Sequence, residues 1–127
     1  MNIGIIGYGK MGKEIEKISV QKGHQIVFKI DSKNQNDLNR RVISETDVAI
    51  EFSNPHSAFN NICFCIKNKI PVVSGTTGWL DKFLEAKTLC LNTKSTFLYA
   101  ANFSVGMNLF FEINNYVSKL MDKTTYQ

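Results

Sequence analysis

Short, unbroken apolar runs alternate along the chain with longer segments in which apolar residues recur at every third or fourth position. The short runs predict buried strands, and the longer segments predict helices that carry one apolar stripe. The predicted strands cover residues 2–6, 25–31, 47–52, 71–74 and 96–99. The predicted helices cover residues 10–22, 55–68, 80–93 and 104–123. Residues 34–43 are polar and fit a short exposed helix.

The predicted strands are too apolar to face water on either side, and helices alternate with them along the chain. That alternation is typical of a parallel sheet covered by helices. We therefore expect an α/β fold, a Rossmann-like doubly wound parallel sheet with helices on both faces. The 127 residues suffice for one domain with its own core, and no repeat or internal linker divides them.

The first predicted strand runs into three glycines at the spacing G-x-G-x-x-G, and a helix starts within that motif. In dinucleotide-binding folds the first glycine permits a tight turn, the second lets backbone approach a pyrophosphate, and the third lets helix pack close to strand. Unpaired N–H groups at the helix start favour an anion. A purely structural turn is the alternative. The candidate cofactor-binding residues are Gly7, Tyr8, Gly9, Lys10, Met11 and Gly12.

An acid ends the second predicted strand, since Asp31 lies 19 residues after Gly12. This distance is close to the offset of about 20 residues expected for the carboxylate that binds an adenosine ribose. A carboxylate repels a 2′-phosphate, whereas the nearby Lys33 could neutralise one. Both NADH and NADPH therefore fit as the cofactor, with NADH slightly favoured.

Two further segments follow the fourth and fifth strands, at the sheet edge where ligands collect in open α/β folds. Residues 74–79, SGTTGW, offer two threonine hydroxyls and bare glycine backbone, which suit a nicotinamide carboxamide or a substrate carboxylate. Residues 100–106, AANFSVG, reach the same edge. A plain loop that caps the next helix is the alternative for the first segment, and N-capping by Asn102 or Ser104 for the second.

Composition narrows the class of protein. Apolar residues make up 43% and charged residues 20%, as in soluble globular proteins, and no apolar stretch is long enough to cross a bilayer. We expect a cytoplasmic protein with no membrane partner. The net charge of +4 comes from scattered lysines, which argues against nucleic-acid binding. Three cysteines, Cys63, Cys65 and Cys90, show no pattern of a disulfide framework. Cys63 and Cys65 are expected as buried core thiols rather than metal ligands, because residues two apart on a helix point in different directions.

Four segments, GYGKMG, EFSNP, SGTTGW and AANFSVGMNLF, occur in an order and spacing that resemble the 4-hydroxy-tetrahydrodipicolinate reductase (dihydrodipicolinate reductase) family of bacterial lysine biosynthesis. The resemblance spans the whole chain, and GTTG and NFSVG are more specific than the first glycine loop. It implies an oxidoreductase of diaminopimelate and lysine biosynthesis that reduces a cyclic imine-type dicarboxylate with NADH or NADPH. It also implies a cytoplasmic location and, usually, a homotetramer.

The resemblance further implies residue roles. Residues 7–11 would cradle the pyrophosphate, and Asp31 would hold the adenosine ribose. The residues that would line the nicotinamide are Gly75, Thr76, Thr77, Ala100, Ala101, Asn102 and Phe103. Thr77 would also reach a substrate carboxylate. Lys10 and Ser32 stand where arginine is common in the family, which leaves phosphate contacts and NADPH preference open.

The family's catalytic segment, His-His-x-x-Lys-x-Asp-x-Pro-Ser-Gly-Thr, belongs to a second domain and does not occur in these 127 residues. We expect residues 1–127 to form the N-terminal NAD(P)-binding domain, without the C-terminal substrate and tetramerisation domain and without catalytic residues. Such a chain would bind cofactor without turnover. His24 and His56 are expected at the surface, and part of the apolar face of the last helix is expected to be exposed and prone to self-association.

Two other functions stay open from the residues alone. Another Rossmann oxidoreductase of amino-acid metabolism would explain the glycine loop and the acid after the second strand, but it would leave GTTG and NFSVG unexplained. A non-catalytic dinucleotide-binding module would share the same loop.

Overall fold

Five parallel strands form one sheet in the computed structural model, which describes residues 1–34, 37–38 and 45–121. The strands are β1 (Asn2–Ile6), β2 (Gln25–Ile30), β3 (Val48–Glu51), β4 (Val72–Ser74) and β5 (Phe97–Tyr99). They lie side by side in the order β2-β1-β3-β4-β5, and every pairing is parallel. The five predicted strands and the parallel sheet are confirmed.

Four α-helices connect or follow these strands within the described residues. They are α1 (Lys10–Gln21), α2 (Pro55–Lys67), α3 (Phe83–Thr93) and α4 (Val105–Met121). The helix predicted to begin at Leu80 instead starts with a 3-10 turn, Leu80–Lys82. The reason is that the Lys82 N–H bonds to the carbonyl of Trp79, three residues back, at 3.1 Å. The short helix predicted over residues 34–43 falls largely outside the described residues.

The chain winds outward from β1 in two directions. α1 crosses from β1 to β2 and contacts both strands, whereas α2 and α3 carry the chain from β3 through β4 to β5 and contact each other. Crossovers between parallel strands are almost always right-handed, so crossovers that run in opposite directions place their helices on opposite faces of the sheet. β1 and β3 are therefore the neighbours between which the winding reverses, and in such sheets the crevice at this reversal binds ligands.

The core lies mainly between the sheet and the pair α2 and α3. α2 presents Ile62 and Ile66 to it, both fully buried. Beside them Trp79 is 2% exposed, and its ring lies 5.6 to 6.1 Å from those of Phe83, Phe97 and Tyr99. Burial of apolar side chains of this size is the main source of folding free energy. This aromatic cluster anchors the loop that follows β4, because the Trp79 indole N–H donates to the Thr76 carbonyl.

α4 differs from the other helices because every one of its residues is exposed. Its apolar stripe includes Phe110, Phe111 and Ile113, which are 57%, 49% and 62% exposed. The expected exposure of its apolar face is confirmed. Even so, no helix in the described ranges combines the length and the apolar content that crossing a bilayer requires.

Cys63 and Cys65 are buried in α2 and Cys90 is half-buried, and none of the three forms a disulfide. The prediction of core thiols is thus confirmed for the two that the sequence places closest together. Burial, and next the nearby Glu51 carboxylate, raises the pKa of the Cys65 thiol from its ordinary value of 9.0 to about 12. Such a thiol is inert toward alkylating reagents until the fold opens.

We predict that the free energy of unfolding falls as pH rises above about 9, because the unfolded Cys65 thiol ionises there while the native thiol keeps its proton. One such group contributes at most about 1.4 kcal/mol per pH unit between the two pKa values. Urea titrations from pH 7.5 to 10 measure the slope. In Cys65→Ala the slope should be shallower, and equal slopes in both proteins would contradict the assignment.

Candidate functional site

A cleft of about 320 Å³ opens at the carboxyl ends of β1, β2 and β3, where the winding of the sheet reverses. It is formed by the turn that follows β1, the acid that follows β2, and the segment that joins β3 to α2. Its lining includes Gly7, Tyr8 and Gly9 from the first of these, and Asp31 from the second. The structure thus brings the predicted glycine loop and the predicted acid together in one cleft.

The three glycines of this loop are required for three different reasons. Gly7 has a φ of +97°, and a side chain there would overlap the carbonyl group of Phe52. At Gly12 a Cβ would lie 2.5 Å from the Gly7 carbonyl oxygen, so α1 can sit this close to the turn only without a side chain. At Gly9 a Cβ would meet nothing within 4 Å. Gly9 alone faces open space, which is where a ligand can approach the backbone.

The start of α1 offers hydrogen-bond donors to that open space. The N–H groups of Gly7 and Tyr8 both bond to the carbonyl of Ile30, at 2.8 and 3.0 Å, which fixes the turn. Gly9 occupies the N-cap and provides no side-chain hydrogen bond, and the first turn of α1 contains no acid. The first N–H groups of a helix have no partner within the helix, and the helix dipole makes this end positive. The arrangement suits an anion.

α2 begins at the same cleft but closes its own end. The side chain of Asn54 accepts hydrogen bonds from the N–H groups of His56 and Ser57, at 3.0 and 3.1 Å, and Pro55 occupies the first helical position. Asn54 is therefore the N-cap of α2. Since the donors at this helix start are engaged, the cleft has one free helix end, that of α1.

Asp31 is held at the tip of β2 by its neighbours. Its N–H donates to Asn34 Oδ1 at 2.7 Å, and its own Oδ1 accepts from the Lys33 N–H at 2.7 Å. Asn34 in turn donates to the carbonyl of Lys29 at 2.9 Å. This tight turn holds Asp31 in the wall of the cleft that the start of α1 also lines.

A second cluster secures the ring of Tyr8 beside the cleft. The Tyr8 hydroxyl donates to the Glu16 carboxylate, which also pairs with Lys29 Nζ at 3.2 Å, and Lys29 lies 4.9 Å from the centre of the Tyr8 ring. The hydrogen bond to Glu16 raises the pKa of Tyr8, and the same bond, followed by the one from Lys29, lowers the pKa of Glu16. Sequence reasoning missed Glu16 and Lys29, because their pairing depends on the register of α1 over β2.

Next to the cleft lies a second depression of about 250 Å³, in front of the loop that follows β4. It shares Phe52 and Ser53 with the first cleft, so the two form neighbouring parts of one trough along the sheet edge. The remaining residues that line it are Met11, Pro55, Gly75, Thr76 and Thr77. A side chain at Gly75 would overlap the Phe52 ring, so this glycine is what lets the loop lie against the wall that divides the trough.

Behind this second depression a carboxylate is fully buried. Glu51, the last residue of β3, is 0% exposed. Its Oε1 accepts from the Ser53 N–H at 3.0 Å, from the Thr76 hydroxyl at 3.0 Å and also from the Ser53 hydroxyl, while its Oε2 accepts from the Ser74 hydroxyl at 2.6 Å. The sequence analysis did not single out Glu51, which appears there only as the first residue of the EFSNP segment. The available signal was a charged residue at the end of an otherwise apolar strand.

Thr76 is also held from its main chain. The indole N–H of Trp79 donates to the Thr76 carbonyl at 2.7 Å, and the Gly75 N–H donates to the carbonyl of Glu51 at 3.0 Å. Thr76 is accordingly buried, whereas its neighbour Thr77 is exposed at the mouth of the depression. The two threonines predicted together as ligands thus have different surroundings.

Several predicted site residues stand apart from the trough. Lys10 is exposed and lines neither depression, and Ala101 and Asn102 are exposed beyond the tip of β5. Ala100 is bound to the sheet, since its N–H donates to the Ser74 carbonyl at 3.3 Å. From the Ala100–Phe103 segment only Phe103 approaches the trough, with its ring 6.1 Å from that of Phe52.

Local capping explains part of that segment. The Asn102 side chain accepts from the Ser104 N–H at 2.8 Å, and the Ser104 hydroxyl accepts from the Met107 N–H at 3.3 Å at the start of α4. Asn108 donates to the carbonyl groups of Asn102 and Ser104, at 3.1 and 2.9 Å. The capping alternative for Asn102 and Ser104 is therefore observed. Such capping does not prevent the segment from also lining a ligand.

His24 and His56 lie outside both depressions, His24 half-buried in the turn after α1 and His56 exposed on the first turn of α2. Within the ranges that the structure covers, no group of three or more histidine, cysteine, aspartate or glutamate side chains is placed to hold a metal ion.

Comparison with known proteins finds matches to one family of reductases. Residues 1–103 match the family model described as dihydrodipicolinate reductase, N-terminus. The chain is 52% identical over 122 residues to the 4-hydroxy-tetrahydrodipicolinate reductase of Christiangramia forsetii, with 95% of this chain and 50% of that protein covered. It is 34% identical over 124 residues to the enzyme of the same name from Rickettsia rickettsii, with 96% and 52% covered. The chain thus spans about half the length of these relatives.

Solved structures confirm the fold. A chain from Archaeoglobus fulgidus superposes with a TM-score of 0.63 at 20% identity, over 78% of this chain and 42% of that one. The homoserine dehydrogenase of S. aureus superposes with a TM-score of 0.62 at 15% identity, over 84% of this chain and 33% of that one. At such identities the likeness concerns the fold alone, and it confirms the doubly wound α/β architecture.

We predict that alanine substitutions at Gly12 and Gly9 differ in their effect on the free energy of unfolding. Gly12→Ala should lower the free energy of unfolding by about 2 kcal/mol or more, because the new Cβ would push α1 off the Gly7 carbonyl. Gly9→Ala should change it by less than about 1 kcal/mol, because its Cβ enters open space. Urea denaturation followed by circular dichroism measures both values. Equal losses in the two variants would contradict the geometry.

Proposed function

Because the chain belongs to the dihydrodipicolinate reductase family, whose N-terminal model it matches over residues 1–103, we propose that its trough binds a nicotinamide dinucleotide. The adenosine half lies in the cleft at the tips of β1, β2 and β3, and the nicotinamide half lies in front of the loop after β4. The two depressions share a wall and follow the same sheet edge, which matches an extended ligand with two planar ends.

One observation carries the proposal: the free helix end of α1, with open space at Gly9, lines the same cleft as Asp31. A pyrophosphate at Gly9 would accept hydrogen bonds from the N–H groups of the first turn of α1. A ribose next to it would donate its hydroxyls to Asp31. Tyr8 lines the first cleft and Met11 lines the second depression, whereas Lys10 is exposed outside the trough and adds positive charge next to Gly9 in the chain.

At the other end we assign the nicotinamide contacts to Gly75, Thr76 and Thr77 and to Ala100, Ala101, Asn102 and Phe103. Support comes from Gly75, Thr76 and Thr77, which line the second depression, and from Phe103, whose ring stands beside Phe52 at the dividing wall. Since the Thr76 hydroxyl is engaged with Glu51, its contribution is through the main chain. Thr77 is exposed at the mouth, which suits contact with a substrate carboxylate.

The reaction we propose for the protein is reduction of a cyclic imine dicarboxylate in lysine biosynthesis, by analogy with the relatives that carry that name. The dinucleotide supplies the hydride, and this chain's residues hold and orient it. Reduction also requires a positioned substrate and a proton donor. Neither His24 nor His56 lies in the trough, so we assign no catalytic residue among the described positions. We propose that residues 1–127 alone bind the coenzyme without turnover.

We predict that Gly9→Ala keeps the fold and weakens NADH binding by at least about tenfold, since the added methyl group occupies the space where phosphate approaches the backbone. Isothermal titration calorimetry measures the dissociation constant. The matched control is Gly106→Ala at the start of α4, where a Cβ meets only the Ser104 hydroxyl at 4.0 Å and lines neither depression. Undiminished binding in Gly9→Ala, or no saturable binding in the unchanged chain, would overturn the proposal.

We further propose that the chain prefers NADH, because Asp31 holds a negative charge where NADPH carries its 2′-phosphate. Asp31→Asn should reduce the ratio of NADH to NADPH affinity by about fivefold or more, mainly by improving NADPH binding. The amide oxygen can still accept from the Lys33 N–H, so the turn is kept. Asp81→Asn, an exposed position on the 3-10 turn, should leave both affinities unchanged. An unaltered ratio in Asp31→Asn would contradict the proposed role.

A further inference from the structure

The buried carboxylate of Glu51 lies where three segments of the site meet. Ser53 begins the connection to α2, Ser74 ends β4, and Thr76 lies in the loop that follows β4. Each of these residues donates at least one hydrogen bond to Glu51. A buried carboxylate is costly unless its oxygens are satisfied, and here hydroxyl and backbone donors satisfy them instead of a cation. The only ion pair within the described ranges is the one between Lys29 and Glu16.

Glu51 lines neither depression, whereas two of its partners do. Ser53 belongs to the wall that the two depressions share, and Thr76 belongs to the floor of the second. Thr76 is thereby held on two sides, by Glu51 at its hydroxyl and by Trp79 at its carbonyl. The Ser53 hydroxyl also accepts from Ser57 at 3.1 Å and from Asn61 at 3.2 Å, which ties the same network to α2.

From this arrangement we propose that Glu51 is a positioning residue for the nicotinamide end of the trough: it orients Thr76, which lines the second depression alone, without touching the ligand. The inference rests on the proposed dinucleotide binding. Preorganised groups avoid the ordering cost that a mobile loop would incur when a ligand binds. Loss of the carboxylate should therefore weaken contacts made by the nicotinamide half and leave the adenosine half, held at Gly9 and Asp31, unaffected.

Two ligands separate positioning from general damage to the fold. NADH reaches both depressions, whereas ADP-ribose lacks the nicotinamide and reports on the adenosine half alone. Glu51→Ala should weaken NADH binding by about tenfold and change ADP-ribose binding by less than about twofold. Glu51→Gln should retain NADH binding within about threefold, because its amide oxygen can accept at the Oε1 position while its NH₂ group donates to the Ser74 hydroxyl.

Thr76→Val tests the same bond from the other side, since valine keeps the shape of threonine and removes the hydroxyl that donates to Glu51. Thr76→Val should weaken NADH binding and leave ADP-ribose binding unchanged, which is the result expected for Glu51→Ala. In the double variant Glu51→Ala/Thr76→Val, the loss of NADH binding free energy should be smaller than the sum of the two single losses. The reason is that both single changes remove the same hydrogen bond. This variant also provides the answer if Glu51→Ala does not fold.

The outcomes are distinct. Selective loss of NADH affinity, with rescue in Glu51→Gln and losses that do not add, supports the positioning role. An equal loss of affinity for NADH and ADP-ribose overturns the positioning role, and so does unchanged NADH binding in both Glu51→Ala and Thr76→Val. Neither result contradicts the proposed dinucleotide binding. Absence of NADH binding in the unchanged chain overturns the proposed function itself.

Discussion

The close approach of three backbone segments at the reversal of the sheet determines most of what the site can be. The turn after β1 lies against the end of β3, and α1 lies against that turn, so that side chains at Gly7 and Gly12 would overlap main-chain atoms. This contact aims the start of α1 along the carboxyl edge of the sheet and leaves its N–H groups open at Gly9. The free helix end is therefore a consequence of how tightly the first βα unit packs.

The two parts of the trough satisfy their polar groups in opposite ways. Around Gly9 the N–H donors of α1 have no capping side chain, and a bound anion would accept their hydrogen bonds. Around Thr76, by contrast, the polar groups are satisfied within the protein, through Glu51, Ser53, Ser74 and Trp79. One end of the trough gains its missing partners on binding, and the other end presents a surface whose shape is set beforehand. A dinucleotide, charged at its centre and planar at its nicotinamide end, needs both kinds of surface.

Local chemistry explains which parts of this site the sequence could predict. The way Gly7, Gly9 and Gly12 pack could be predicted from spacing alone, because strand, turn and helix are consecutive, and the place of Asp31 at the cleft follows from the length of one βα unit. Glu51 could not be found in that way. Its partners Ser74 and Thr76 are 23 and 25 residues away, and only the pairing of β3 with β4 brings them to its carboxylate. The pairing of Glu16 with Lys29 likewise depends on tertiary register.

α4 has a consequence for the chain as a whole. A helix of 17 residues whose side chains are all exposed gains little stability from burial and depends on intrinsic propensity and its N-terminal cap, near the length at which helices in water are marginal. Thermal fraying of α4 would begin at its far end and reach the cap formed by Asn102 and Ser104, next to the tip of β5. A surface that covers the apolar stripe of α4 would reduce this fraying. It would thereby also limit the motion of Phe103 at the edge of the trough.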